Sequence, residues 1–416
     1  MKRLKKKREK RNLKNNDTIM SLHDDSHTHD FLQKKEMNEM YFSVFFMSFA
    51  EGLISIFVPI YLYNLNYSII DILLYYLLVS ICILILINFL VKFISKIGVK
   101  HSISISIPFL IIYFLGLNIL ENTPFLFFVL PIILAARTIF YNIGYHLNYL
   151  EHSNAKKRGK EISILVSLPL LASLLSPLLG GLLITYFDYH YLYATGSIIL
   201  AASILPLLLS GDQKEKMNFR ISDAYKLIVN KKNRNTMISF MGYAPSATIG
   251  VVIWPIFLIT ILTNVKSVGF VASLTSILTL AIFFFIEKRD DKRSKKDIIK
   301  KRSFLHVLGW IARIFASSTL SAFLIDTYKK LSFKLLHVQW SSYAYSIAKR
   351  QNYFKFVVAR EIFFNISRIV IIPILILAFY YLPVLLAFTA TFLLAAILST
   401  LYPFIIKKDR VTIKTN

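Results

Sequence analysis

Apolar residues in this chain cluster in long runs and not on one face of a helix or in alternation. From Tyr41 onward, stretches of mostly apolar residues recur, separated by charged or turn-forming clusters. About 20 such residues make a helix that crosses the roughly 30 Å hydrocarbon core of a bilayer. The first half holds six segments: Tyr41 to Leu65, Asp71 to Ile94, Ile103 to Leu120, Phe125 to Leu147, Ile162 to Phe187 and Tyr191 to Leu209. The second half holds five: Met237 to Leu262, Val268 to Ile286, Phe304 to Ile325, Phe356 to Tyr380 and Leu382 to Ile406. A twelfth, Thr327 to Ile347, is weaker because it carries Lys329, Lys330, Lys334, His337 and Gln339.

Charge decides that weak segment and the orientation. Both tails and alternate connections hold 41 of the 49 Lys and Arg residues, while the opposite connections hold only Lys266, Lys329 and Lys330. Basic residues stay on the cytoplasmic side, so both termini are expected there, which requires an even number of spans. Thr327 to Ile347 is therefore counted as the twelfth. The expected organisation is a basic cytoplasmic tail over 1–40, a six-helix bundle over 41–209, a cytoplasmic linker over 210–236, a second bundle over 237–406 and a short tail over 407–416.

Composition agrees. The 416 residues are 56% hydrophobic and only 17% charged, too apolar for a soluble globule of this size. The net charge of +26 would suggest nucleic acid in a soluble protein, but here it falls in blocks between apolar runs, so no nucleic-acid partner is expected. The single cysteine, Cys82, excludes an intrachain disulfide. The polar first forty residues contain no early apolar core and so do not read as a cleavable signal peptide.

The basic stretch Ser210 to Asn235 separates the two groups of six, and a repeat crosses it. Val58-Pro59-Ile60-Tyr61-Leu62 matches Trp254-Pro255-Ile256-Phe257-Leu258 at an offset of 196 residues, and the same offset carries Pro177 onto Pro373. After the second segment come Lys96, Gly98 and Lys100, and the fifth carries Ala172, Ser176, Pro177, Gly180 and Gly181. Two parallel six-helix halves, a long linker and these worn motifs resemble the major facilitator superfamily. That resemblance implies an all-α membrane protein with twelve transmembrane helices in two pseudo-symmetric bundles. It also implies a substrate site near the midplane between the halves, lined by helices one, four, seven and ten. Arg137 falls where drug antiporters of the family carry a functional arginine, but Phe140 and Tyr141 stand where they carry Gln and Gly.

Ionisable groups at bilayer depth need a partner, water or a role. At 1.5 Å per residue, Glu51 lies roughly 15 Å and Arg137 roughly 18 Å into their segments, and Glu51 is the only carboxylate expected near the midplane. It is the candidate proton-coupling residue, with a static Glu51 to Arg137 ion pair as the bland alternative. Arg137, Tyr141, Tyr145, Lys334, His337 and Trp340 are the candidate substrate-binding residues, with His146, Gln339 and Ser341 beside them in a polar and aromatic lining. Arg313 and Arg368 add positive charge, leaving a surplus that favours an anionic substrate. Helix breakers at corresponding places in the halves point to gating or hinge positions: Gly52, Pro59, Pro177, Gly180, Gly181, Pro245, Pro255 and Pro373.

These readings converge on a secondary transporter of a small organic solute in the inner (cytoplasmic) membrane, in contact with lipid, working as a monomer and without a cofactor. A drug/proton antiporter and a lipid-type solute carrier are the alternatives. No acid-base set in a sizeable loop supports an enzyme, and no Gly-x-x-x-x-Gly-Lys run supports ATP as the driving force. The tail from His23 to Asp30 has weak metal-ligand character, and no bound metal is expected.

Overall fold

The computed structural model describes residues 38, 41–152, 164, 167–205, 220–287 and 295–406, and every regular element among them is helical. The tail stretch from His23 to Asp30 lies outside the described residues. In the first half the long helices are α1 (Tyr41–Asn64), α2 (Ile69–Ile97), α3 (Val99–Asn118), α4 (Leu126–His152), α5 (Ser167–Tyr186) and α6 (Tyr189–Ser203). In the second they are α7 (Arg234–Leu262), α8 (Val265–Glu287), α9 (Lys295–Ala312), α10 (Thr319–Lys349), α11 (Tyr353–Tyr381) and α12 (Val384–Ser399). Nine of these are long and apolar enough to cross a bilayer by themselves. The other three are short or polar: α6 has 15 residues, α9 opens on basic turns and α10 carries four lysines.

The halves meet mainly along two helix pairs, α2 with α11 and α5 with α8, and α4 also touches α11 and α1 approaches α7. The ends of the helices near Tyr41, Ile97 and Lys349, where the Lys- and Arg-rich connections gather, form what we call the basic face. A short helix at Ile221–Val229 lies on this face between the halves. Its Tyr225 hydroxyl donates to Asn88 of α2 at 3.2 Å, and its Asp223 pairs with Lys355 of α11 at 2.6 Å. The Lys355 hydrogen bond holds the Asp223 carboxyl below the usual Asp range.

The repeat-related prolines behave differently in the two halves. In α1 a turn over residues 55–57 interrupts the helix, which restarts at Val58 with Pro59 in its first turn. In α5 a turn over 173–175 does the same, with Pro177 in the first turn of the restart. Proline has no amide hydrogen, and at the start of a helix none is needed. By contrast, α7 runs unbroken through Pro245 and Pro255, and α11 through Pro373. The two breaks lie side by side. A Cβ on Gly52 would collide with the Ser176 hydroxyl, and one on Gly180 would collide with the Leu53 carbonyl.

One boundary differs from the sequence expectation. The segment expected to run from Phe304 to Ile325 ends as α9 at Ala312, followed by a single 3-10 turn at Arg313–Phe315. Ser318 and Ser321 then cap α10 reciprocally, which satisfies the free amide groups of its first turn. Helix α10 therefore begins at Thr319 and draws Asp326, Lys329 and Lys330 out of the expected external connection into a 31-residue helix.

A lysine-lined cavity between the halves

Two polar regions occupy the interior. In the first, Glu51 and Arg137 form an ion pair between α1 and α4. The Arg137 side chain is nearly buried, at 12% exposure, whereas Glu51 retains 34%. The guanidinium lies 4.6 Å from the centre of the Tyr141 ring, which stacks on Tyr145 at 5.5 Å. Towards the basic face this column crosses to the other half. The His146 ring nitrogen meets the Tyr345 hydroxyl of α10, and Asn142 donates to the Glu361 carboxylate of α11 at 3.0 Å. Arg360 donates to the other Glu361 oxygen at 2.8 Å.

The second region is a cavity of about 390 Å³. Helix α1 contributes Ser55 and Ile56 at its break, α7 contributes Tyr243 to Pro255 positions, and α10 contributes Lys329, Lys330 and Lys334. Behind the lysines, Arg313 is fixed rather than free. It donates to Asp326 at 2.5 Å, and its guanidinium carbon lies 3.9 and 4.8 Å from the ring centres of Trp254 and Trp310. Such cation–aromatic contacts favour a desolvated guanidinium. The ring of His306 accepts the Trp310 indole N–H at 3.2 Å on Nε2, so that nitrogen carries no proton.

Lys330 donates to Ser276 of α8 at 3.0 Å, and Ser276 also accepts from Ser173, in the break of α5, at 3.0 Å. The Leu178 amide, a first-turn donor after that break, donates to Ser273 of α8 at 2.9 Å. A cavity lysine is thus joined through one hydroxyl to the interrupted helix of the opposite half.

The candidate substrate residues separate accordingly. Lys334 lines the cavity, while Arg137, Tyr141 and Tyr145 form the column around Glu51. His337 and Trp340 belong to an aromatic cluster with Tyr243, and the Trp340 indole donates to Ser239 at 2.8 Å, leaving the side chain 3% exposed. The expected charge inventory is corrected here. Glu51 is joined by two further interior carboxylates, Asp326 and Glu361, each buried against an arginine. Arg313 is neutralised by Asp326, Arg368 keeps only the neutral hydrogen-bond partners Thr248 and Asn365 among the described residues, and the unpaired positive charge at the cavity is that of Lys329, Lys330 and Lys334. Arg360 and Glu361 stand together near the start of α11, and an adjacent Arg-Glu pair inside an apolar segment was the available signal for them.

The model of the Major Facilitator Superfamily matches residues 40–228. No curated protein matches the sequence. Among solved structures the fold is similar to that of a D-xylose-proton symporter at 13% identity, covering 88% of this chain and 96% of the other with a TM-score of 0.66. It is also similar to the human organic anion transporter TETRAN, at 9% identity, 90% and 99% coverage and a TM-score of 0.64. The E. coli fucose:proton symporter gives 11% identity, 89% and 98% coverage and a TM-score of 0.63. At these identities the likeness is one of fold, and it extends over both halves. The sequence of the first half thus matches the Major Facilitator Superfamily, and the fold of both halves is similar to that of solved transporters.

Proposed function

We propose that the protein moves a small organic anion across the cytoplasmic membrane by alternating access, coupled to protons through Glu51. The observation that carries this reading is the cavity between the halves, whose wall on α10 presents three lysines. An anion held there would be met by charge-assisted hydrogen bonds in a low dielectric. The similar structures, two proton symporters and one organic anion transporter, are compatible with it. A cationic drug would meet like charge in this cavity, which disfavours the antiporter alternative.

Glu51 is suited to coupling by its place. Its backbone carbonyl accepts the Ser55 amide at 2.7 Å at the start of the α1 break, so a change in that break moves Glu51 relative to Arg137. A carboxylate that loses its arginine in a partly dry site takes up a proton, and one that regains it releases the proton. In proteoliposomes, Glu51→Gln is expected to abolish accumulation of an organic anion driven by a pH gradient while leaving anion exchange largely intact. Wild-type accumulation in that variant would remove Glu51 from the coupling role, and uptake of cations in place of anions would return drug export to first place.

A further inference from the structure

We infer that the occupant of the cavity is an organic anion with two negative charges and an apolar body. This rests on the transport reading above but is tested separately from it.

The charge count comes from the walls. Four cationic side chains, Arg313, Lys329, Lys330 and Lys334, face the cavity with one carboxylate, Asp326. Asp326 is engaged by Arg313 at 2.5 Å, and the pair is nearly buried, at 3% and 8% side-chain exposure. Three ammonium groups remain, and none has a carboxylate partner among the described residues. Lys330 has a neutral hydroxyl, Ser276. Lys329 lies over the faces of Trp310 and Phe333, at 4.3 and 5.3 Å from their centres. For Lys334 there is no hydrogen bond within the described part of the protein. Like charges gathered in a poorly hydrated site repel, and ring faces and hydroxyls offset only part of that. A singly charged occupant leaves two ammonium groups uncompensated. A dianion leaves one, and that one shares the field of Asp326.

Spacing supports the same reading. Lys330 and Lys334 are four residues apart on one face of α10, about 6 Å along its axis. Two carboxylates a few bonds apart, or the three oxygens of a phosphate monoester, can reach both. Apart from the hydroxyls of Ser55, Ser246 and Tyr243, the wall that α1 and α7 contribute is mostly apolar, with Ile56, Ala247, Val251 and Pro255. About 390 Å³ falls within the size of ordinary small-molecule pockets. An inorganic dianion would satisfy the lysines and leave this wall without a partner.

The test uses the purified full chain in detergent at pH 7.5, with binding followed by calorimetry and by the fluorescence of Trp254 and Trp310. The probes are benzylmalonate and phenyl phosphate as dianions with an apolar body, benzoate as a monoanion, succinate as a dianion without an aromatic body, and benzyl alcohol as a neutral control. Both aromatic dianions are expected to bind at least tenfold more tightly than benzoate and than succinate. Lys334→Gln should erase the preference over benzoate, and Lys334→Arg should keep it. Benzoate binding as tightly as the aromatic dianions in the wild type would overturn the inference without any variant being needed. An unchanged ranking in Lys334→Gln would overturn it as well. Binding of the dianions without their uptake into proteoliposomes would leave the inference standing and overturn the transport reading instead.

Discussion

At the scale of single residues, the interior is organised by how each charge is compensated. Arg313 and Asp326 are nearly inaccessible and face each other at 2.5 Å, with two tryptophan rings covering the guanidinium. Removing one partner of such a pair leaves an uncompensated buried charge, at a cost of about 3–5 kcal/mol. Asp326→Asn is therefore expected to lower the thermal midpoint of the purified protein strongly or to prevent its folding. Replacing both partners by apolar residues, Arg313→Met with Asp326→Leu, should recover most of the loss. A single variant as stable as the wild type would show that the pair is not structural. Glu51 and Arg137 are different in kind, because the carboxylate keeps a third of its side-chain surface. Of the two pairs, this is the one whose carboxylate still reaches the open space around it.

At the scale of helices, the broken α5 carries one of the two main contacts between the halves. The α5 break frees backbone donors, and α8 receives one of them on Ser273 while Ser276 joins Ser173 to Lys330. Close approach of α5 and α8 depends on glycine, since a Cβ on Gly181 would sit 3.2 Å from the Val265 carbonyl and 3.3 Å from the Lys266 Cα. Ser276→Ala keeps the helix and removes the shared hydroxyl. Binding of an aromatic dianion should then change by less than about threefold, the size of one modest hydrogen bond, whereas proteoliposome uptake should fall by tenfold or more. An equal loss of both would show that Ser276 serves binding alone. The turn between α2 and α3 needs Gly98 for another reason: its φ of 90° is a region that side chains disfavour.

The linker helix gives a prediction in pH. Asp223 is depressed by its Lys355 hydrogen bond, so its ionised form is favoured by the native structure. The pair then supports the fold above the unfolded Asp value of about 3.9 and ceases to do so as pH falls through the lower native value. Both partners are about one-third exposed, so the effect is small and salt-sensitive. The difference in thermal midpoint between wild type and Asp223→Asn should be present at pH 7 and vanish towards pH 3. A difference that grows with acidification would contradict the assignment.

At the scale of the whole molecule, the first of the twelve helices begins and the last described turn ends on the same, basic face. Alkaline phosphatase fused after Asn416 should be inactive if that face is cytoplasmic, and an active fusion would reverse the orientation. The net charge of +26 bears on that outcome, because the surplus sits in connections and tails that an anionic cytoplasmic leaflet would attract.

Much of this was legible along the chain. Bilayer thickness fixes the length of an apolar run, so nearly every span could be marked from composition alone, and the offset of 196 residues between Pro59 and Pro255 disclosed the duplication. Glu51 and Arg137 could be placed at similar depth by counting residues. Helix α10 was the weak point for a physical reason. Charge rules count lysines along a sequence and cannot distinguish an external connection from the wall of a cavity, so Lys329 and Lys330 were assigned to the outside. Their burial depends on Ser318 and Ser321 capping α10 early and on Trp310 and Ser276 waiting on other helices.

The sequence by itself determined the solvent, the number of spans, the duplication and the presence of ionisable groups at depth, because each follows from local composition set against a slab of fixed thickness. Only the tertiary structure decided which charges neutralise one another. Glu361 meets Asn142 across 219 positions and Ser173 meets Ser276 across 103. Pairings between residues so far apart in sequence depend on how helices pack, and that packing is what left three lysines facing one cavity.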